Sequence, residues 1–257
     1  MGTHYAQAGT ATNRELDIFA VKQMAVQVDG KSLTCQLRAL ISVRGFPPAM
    51  SPIAYSTADS LQKLNINLLG SYEGPRDNYT QAVRDLLIYL GGLGAQQLLR
   101  SASLISSRPL LSFDTIKRVD SHKDSVPPKY ERIGEGDRKI FTALDSAVNA
   151  AIYWSQDAQQ DNWGQGNILT LNIPVCILSL PFWNVCIDEE TPIAPELCHQ
   201  GYQSLAYPGT PNPRLVTTFV WSAETIDGLV STLDSFLWWF HSELLGGQAS
   251  MILRSMF

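Results

Sequence analysis

Two alternations of apolar and polar residues near the start of the chain predict a pair of β-strands. Apolar residues occur at alternating positions in two runs, at Leu16, Ile18, Ala20 and Met24 in the run Glu15 to Val28 and at Leu37, Ala39, Ile41 and Val43 in the run Leu33 to Val43. This is the period of a strand with one buried face. Asp29 and Gly30 lie between the two runs, and this dipeptide favours a two-residue turn because both residues tolerate positive φ. The pattern therefore predicts an antiparallel hairpin, which ends at the proline-rich stretch GFPPAMSP.

Three segments carry apolar residues at helical spacing. This spacing predicts helices over Asp77 to Ser101, Asp137 to Gln156 and Ala223 to Leu245, since apolar positions recur every three or four residues along one face. Gly92-Leu93-Gly94 in the first helix lacks the third glycine of a dinucleotide-binding fingerprint, so we interpret it as a site of close helix packing. Ser222 directly precedes the third helix and is predicted to cap it.

Two nearly continuous apolar runs predict buried strands in the second half of the chain. They cover Ile168 to Leu180 and Arg214 to Ser222, and a strand covered on both faces shows no polar alternation. The stretch PFWNVCIDEE predicts a short edge strand or hairpin partner, whereas the polar segment 106–136 predicts a loop insertion. The order hairpin, helix, helix, strand, strand, helix predicts an α/β fold with a mixed sheet, in a single domain over 1–257.

Composition is that of a globular protein and limits the partners of the chain. Hydrophobic residues make up 45% and charged residues 17% of the 257 residues, so a sizeable core can form. The formal net charge of −5 gives no general attraction to nucleic acid and leaves only a local basic groove for such contacts. The sequence shows neither a leader-like start nor an apolar run of membrane-spanning length. We therefore expect a cytoplasmic protein without a membrane contact.

The cysteine pattern argues against two classes of stabilising site. The four cysteines are Cys35, Cys176, Cys186 and Cys198. They lie far apart and form no CxxC pair, so we expect reduced thiols rather than a zinc ribbon or a disulfide framework. The sequence also contains no GxSxG and no GxxxxGK[ST] motif, which gives no sign of a serine hydrolase or a phosphate-binding loop.

The stretch RELDIFA, followed by the hairpin turn and an apolar strand that ends in a polar triplet, resembles the core of the PD-(D/E)XK nuclease superfamily. The later segments IPVCILSLPFWNVCID and RLVTTFVW resemble the last two strands of uncharacterised members of that superfamily. In the superfamily an aspartate and an acidic-x-lysine triplet meet across the hairpin, where two carboxylates bind Mg²⁺ and the lysine helps to activate water. The resemblance implies a restriction-endonuclease-like mixed β-sheet flanked by helices.

The resemblance assigns roles to four residues. Asp17 matches the first metal-binding aspartate, and Glu15 precedes it on the same strand face as a second carboxylate for Mg²⁺. The triplet falls on Ser42-Val43-Arg44 and departs from the family pattern at both functional positions. A serine hydroxyl replaces a carboxylate poorly, and arginine, always protonated, cannot transfer a proton as lysine can. A second acidic-x-lysine triplet, Asp29-Gly30-Lys31, is expected at the hairpin tip, away from Asp17.

Three functions remain open from the sequence. The first is a degenerate nuclease domain that acts as a structural or nucleic-acid-associated subunit without a cofactor. The second is an active Mg²⁺-dependent nuclease that hydrolyses phosphodiester bonds with the metal on Asp17 and Glu15. The third is a protein–protein assembly module, in which the aromatic final helix over 223–245 forms a homodimer or contacts a larger partner rather than only filling the core.

Asp17 also has a purely structural interpretation, as the ion-pair partner of a nearby arginine. The arginines considered are Arg14, Arg38 and Arg44.

Overall fold

The computed structural model describes residues 3–6, 13–47, 50–57, 66–74, 81–118, 130–132, 134–156, 167–187, 195–206 and 215–254. Its strands are β1 (Thr3–Ala6), β2 (Asn13–Leu16), β3 (Ile18–Val28), β4 (Lys31–Arg44), β5 (Met50–Thr57), β6 (Leu69–Glu73), β7 (Leu110–Arg118), β8 (Tyr130–Arg132), β9 (Ile168–Leu178), β10 (Phe182–Ile187), β11 (Glu196–Cys198), β12 (Gln200–Ala206) and β13 (Leu215–Ser222). Its helices are α1 (Gln81–Ser101), α2 (Gly134–Gln156), α3 (Ile226–Gly246) and α4 (Gln248–Arg254). The fold is mixed α/β, with two mixed sheets flanked by helices.

The larger sheet is built around β9. Its strand order is β12-β13-β9-β4-β3, and β6 pairs with the first half of β9. The three central strands β4, β9 and β13 run parallel, while β3 and β12 are antiparallel edge strands. Nearly every residue of β9 is buried, which explains its continuous apolar sequence because both of its faces are covered.

The predicted hairpin is confirmed from Ile18 onward. Its first strand, predicted from Glu15, is interrupted by a bend at Asp17, and Glu15 and Leu16 belong to β2, which pairs with β1 in a separate two-stranded sheet. β3 and β4 pair from Ile18 opposite Ile41 to Val28 opposite Lys31. Asp29 and Gly30 have φ values of 49° and 80°, the positive angles that a type I′ turn requires at both central positions. β4 ends at Arg44, directly before the proline-rich stretch that was predicted to stop it.

The second sheet was not predicted. Its strand order is β11-β10-β5-β7-β8, and β10 runs parallel to β5, with Trp183 opposite Ile53. Phe182–Ile187 of the PFWNVCIDEE stretch therefore forms an interior strand rather than an edge strand, and its antiparallel pairing with β11 agrees with the alternative prediction of a hairpin partner. The prediction of a loop over 106–136 is also wrong where β7 and β8 lie, because β7 carries the buried polar residues Asp114 and Thr115, which disguise a strand. Residues 119–129 lie outside the described part of the chain.

The two sheets share a corner. β4 continues into β5 and β9 into β10, so two neighbouring parallel segments leave one sheet and pair again in the other. Ser179 N donates to Arg44 O at 2.8 Å, and Phe46 N donates to Ser179 Oγ at 2.9 Å. These hydrogen bonds join the two chain segments where they leave the larger sheet.

Helices cover both faces of the larger sheet. α1, α3 and α4 pack on the face that carries Leu37 and Leu171, and α2 packs on the opposite face against β4 and β9 while also contacting β7. All three predicted helices are present, although residues 75–80 before α1 lie outside the described part. The cap prediction is wrong: Ser222 begins a short 3-10 turn before α3 and makes no side-chain capping hydrogen bond. None of the helices described is long and apolar enough to cross a membrane.

Candidate functional site

The predicted site lies where β4 and β9 end. Asp17 occupies a bend between β2 and β3, at the level of Ser42, because the next residue pair along the hairpin is Ile18 with Ile41. Its Oδ2 accepts a hydrogen bond from the backbone N–H of Val43 at 2.7 Å. Asp17 and the Ser42-Val43-Arg44 triplet are therefore in direct contact.

Ser42 faces a buried thiol rather than solvent. It is 3% exposed and lies opposite Cys176 in the parallel β4–β9 pair. The pKa of the Cys176 thiol is raised to about 12, mainly by burial and also by the Asp17 carboxylate, while Arg44 acts in the opposite direction. The carboxylate and the guanidinium thus both act on the same neutral thiol, which lies beneath the triplet.

The structural interpretation of Asp17 is wrong for two of the three arginines. Within the described residues, no nitrogen of Arg38 or Arg44 lies within 4.0 Å of an Asp17 oxygen. Arg38 pairs instead with Glu73. Arg44 is half-buried, and its Nε is buried without a hydrogen-bond partner. The side chain of Arg14 lies outside the described part.

The metal prediction concerns Asp17 together with Glu15. The backbone of Glu15 lies in β2 opposite His4, but its side chain is outside what the structure describes. Among the described residues, no group of three or more His, Cys, Asp and Glu is arranged to hold a metal ion. The alternative triplet at Asp29 to Lys31 occupies the far end of the hairpin, more than about 30 Å along β3 from Asp17.

Sequence reasoning missed a layer of buried polar side chains between the larger sheet and α2. Its members are Gln36, Arg38, Ser71, Glu73, Ser155, Thr170 and Asn172. Asn172 Nδ2 donates to Ser155 Oγ at 2.9 Å, and Thr170 Oγ1 donates to Gln36 Oε1 at 3.2 Å. The alternation along β4 does place Gln36 and Arg38 on one face, but we expected that face to be exposed, and α2 covers it.

The polar layer has unused hydrogen-bonding capacity. Arg38 Nη1, Ser71 Oγ, Asn172 Oδ1 and Trp154 Nε1 are buried without a hydrogen-bond partner. The Arg38 guanidinium carbon lies 5.4 Å from the centre of the Trp154 ring, close enough for a cation–π contact. Arg38 is thus held by Glu73 and Trp154 and is not available to Asp17.

His199, Ser222 and Glu224 form a group that superficially looks like a hydrolase triad. His199 Nδ1 lies 3.1 Å from Ser222 Oγ and 3.6 Å from Glu224 Oε2. A catalytic relay uses the two different ring nitrogens and an accessible serine. Here both partners face the same nitrogen and Ser222 is fully buried, so the group stabilises the turn before α3.

Comparison with known proteins adds nothing to this geometry. The chain matches no family model, no curated protein and no solved structure. In the described part, the site offers one exposed carboxylate held by a backbone amide and one half-buried guanidinium. Such a pair can bind a charged or polar group.

Proposed function

We propose that this chain is a restriction-endonuclease-like domain whose nuclease centre has degenerated, and that it acts as a structural or nucleic-acid-associated subunit. The hydrogen bond from Val43 N to Asp17 Oδ2 supports this proposal, because it joins the matching aspartate to the triplet across the hairpin. Ser42 is a buried hydroxyl, and an arginine side chain does not transfer a proton as lysine does, so neither residue replaces the carboxylate and lysine that the resemblance requires.

In this proposal each of the two charged residues has a new role. Asp17 holds the end of the hairpin through its hydrogen bond to Val43. Arg44 supplies a positive charge that no described carboxylate neutralises within 4.0 Å. A guanidinium in this state suits a phosphate oxygen, to which it donates charge-assisted hydrogen bonds.

Cleavage assays test the degenerate centre. The purified chain, Asp17→Ala and the control Asp227→Ala, which removes an exposed carboxylate in the first turn of α3, are incubated with single- and double-stranded DNA and RNA and with Mg²⁺ or Mn²⁺. We expect no metal-dependent cleavage by any of the three. Cleavage that Asp17→Ala abolishes and Asp227→Ala retains would instead establish the alternative, an active nuclease with Mg²⁺ on Asp17 and Glu15.

A binding assay tests the nucleic-acid association. Fluorescence anisotropy with a labelled duplex compares the parent chain with Arg44→Gln and with the control Arg100→Gln, an exposed arginine in the last turn of α1. Loss of one phosphate contact should weaken binding about three- to tenfold at low salt. If Arg44→Gln binds as tightly as the control, Arg44 does not contact nucleic acid.

Assembly through α3 is the second candidate function. The helix buries Phe236 and Phe240, but Val230 and Trp238 are 55% and 62% exposed. They lie four residues on either side of Asp234, which pairs with Lys22 of the edge strand β3. Light scattering should report a dimer for the parent chain and a monomer for Trp238→Gln, whereas the control Ile88→Gln on α1 should remain dimeric. A monomeric parent chain would exclude a homodimer.

A further inference from the structure

A cavity of about 360 Å³ lies between the second sheet and the edge strand β12. Residues that precede β7 form one wall, β10 and β11 form the opposite wall, and the start of β12 completes the lining. None of the residues assigned to the degenerate centre lines this cavity. Its volume falls in the range that protein sites for small molecules occupy.

The pairing of β10 with β11 determines which side chains line the cavity. Asn184 lies opposite Glu196, and Phe182 lies opposite Cys198, so these four side chains share one face of the sheet. On β12, a Cβ atom at Gly201 would lie 2.7 Å from Leu110 Cδ1 and 3.2 Å from Phe182 Cζ. Glycine therefore permits the close approach of β12 that brings the walls together.

The cavity has opposite charges at two positions. Arg108 is half-buried, and its Nη1 donates to the sulfur of Cys186. Glu196 is exposed at the other position, next to Cys198, whose pKa is raised to about 11 by burial and by this carboxylate. In the described part of the chain, neither Arg108 nor Glu196 has an oppositely charged group within 4.0 Å.

The distance between the two charges is approximated by the distance between Cys186 and Glu196, because the Arg108 guanidinium contacts Cys186. Cys186, which Arg108 contacts, is one strand away and two residues along from Glu196, a separation of roughly 8 Å. Two hydrogen bonds together with the head group of an amino acid span about the same distance. Between the charges, Asn184 Oδ1 is buried without a hydrogen-bond partner and can accept an N–H.

We infer that this cavity binds a small zwitterion of the free amino acid type. Arg108 pairs with its carboxylate, while Glu196 and Asn184 Oδ1 accept hydrogen bonds from its ammonium group. Leu110 and Phe182 provide an apolar surface for its side chain. This site is independent of the function proposed above, because it shares no residue with it.

Calorimetric titration of the full chain tests the inference with glycine, L-leucine and L-phenylalanine. Two blocked forms of leucine separate the charges: the methyl ester has no carboxylate and the N-acetyl form has no ammonium group. We expect an apolar amino acid to bind, and each blocked form of leucine to bind about tenfold or more weakly than leucine. Absence of binding by all three amino acids at millimolar concentration, or equal binding of blocked and free leucine, overturns the inference.

Two variants test whether Arg108 binds the carboxylate of the ligand and Glu196 its ammonium group. Arg108→Gln should weaken leucine binding about tenfold and remove the preference for leucine over its methyl ester. Glu196→Gln, at an exposed position where folding is not at risk, should remove the preference over the N-acetyl form. The control Arg100→Gln should bind as the parent chain does. If both cavity variants retain the parent affinity and preferences, the inference fails.

Discussion

The exposed carboxylate of Asp17 contacts the rest of the site through a backbone group, the N–H of Val43. Because Oδ2 accepts the N–H of Val43 at 2.7 Å, the side chain satisfies a donor at the end of β4. The residue type that a metal site would use thus already has a structural task at this position.

Two substitutions of Asp17 distinguish how much its charge and its hydrogen bond each contribute to stability. Asp17→Ala should lower the free energy of unfolding by about 0.5–1.5 kcal/mol, and Asp17→Asn, which keeps an acceptor oxygen, should lose less. Urea unfolding of the three proteins gives the comparison. Equal losses in the two variants would show that the charge, rather than the hydrogen bond, stabilises this corner.

Arg38 and Glu73 form an ion pair that is largely buried, with side chains 9% and 17% exposed. Removing one partner leaves the other charge in a poorly hydrated site, so Glu73→Gln should cost about 3 kcal/mol. The double variant Arg38→Met with Glu73→Gln should recover part of this loss, since no buried charge remains. A double-mutant cycle in urea measures the coupling, and strictly additive losses would contradict a direct pair.

Among the helices, α1 approaches its neighbours closely at two glycines, Gly91 and Gly94. A Cβ atom at Gly91 would lie 2.4 Å from Leu68 O and 2.7 Å from Asn67 Oδ1, whereas at Gly92 nothing lies within 4 Å. At Gly94 it would lie 3.3 Å from Phe236 Cζ. Close packing, predicted for the Gly92-Leu93-Gly94 stretch, is confirmed at Gly94 and is tightest at Gly91, whose carbonyl also accepts from Leu68 N at 3.0 Å.

The neighbouring glycines provide a matched pair of substitutions. Gly91→Ala should destabilise the protein by about 1–3 kcal/mol, because the backbone of Leu68 must move. Gly92→Ala should stabilise it by up to about 1 kcal/mol through helix propensity. Thermal unfolding of both variants shows the signs, and a stabilising Gly91→Ala would mean that α1 does not approach Leu68 this closely.

For the whole molecule, we expect the buried thiols to lower the stability of the fold at alkaline pH. Burial raises the pKa of Cys35 to about 11 and that of Cys176 to about 12, from an unfolded value of 9.0. The unfolded chain therefore releases these protons first. The neutral thiols make their full contribution to the free energy of unfolding below about pH 9. This contribution is lost as the pH rises through the pKa values of the folded protein.

Unfolding by urea at about pH 8 and about pH 10.5 tests this dependence. The midpoint should fall between the two conditions in the parent chain and fall less in Cys176→Ala, which has one buried thiol fewer. A fall of the same size in both proteins would show that Cys176 does not contribute.

Local signals were sufficient for part of the fold. The Asp29-Gly30 turn, the alternation in β3 and the apolar run of β9 each express a short-range preference, so the hairpin, the buried strand and the three helices could be predicted. The contact between Asp17 and the triplet followed, because a hairpin brings the two ends of its strands together.

The remaining features depend on which surfaces meet. An alternating strand shows which residues share a face but not what covers that face, so α2 turned the polar side of β4, with Gln36 and Arg38, into a buried layer. Likewise, the pairing of β5 with β10 joins segments more than one hundred residues apart, for which no local preference exists. The ion pair of Arg38 and the cavity beside Arg108 result from such long-range packing.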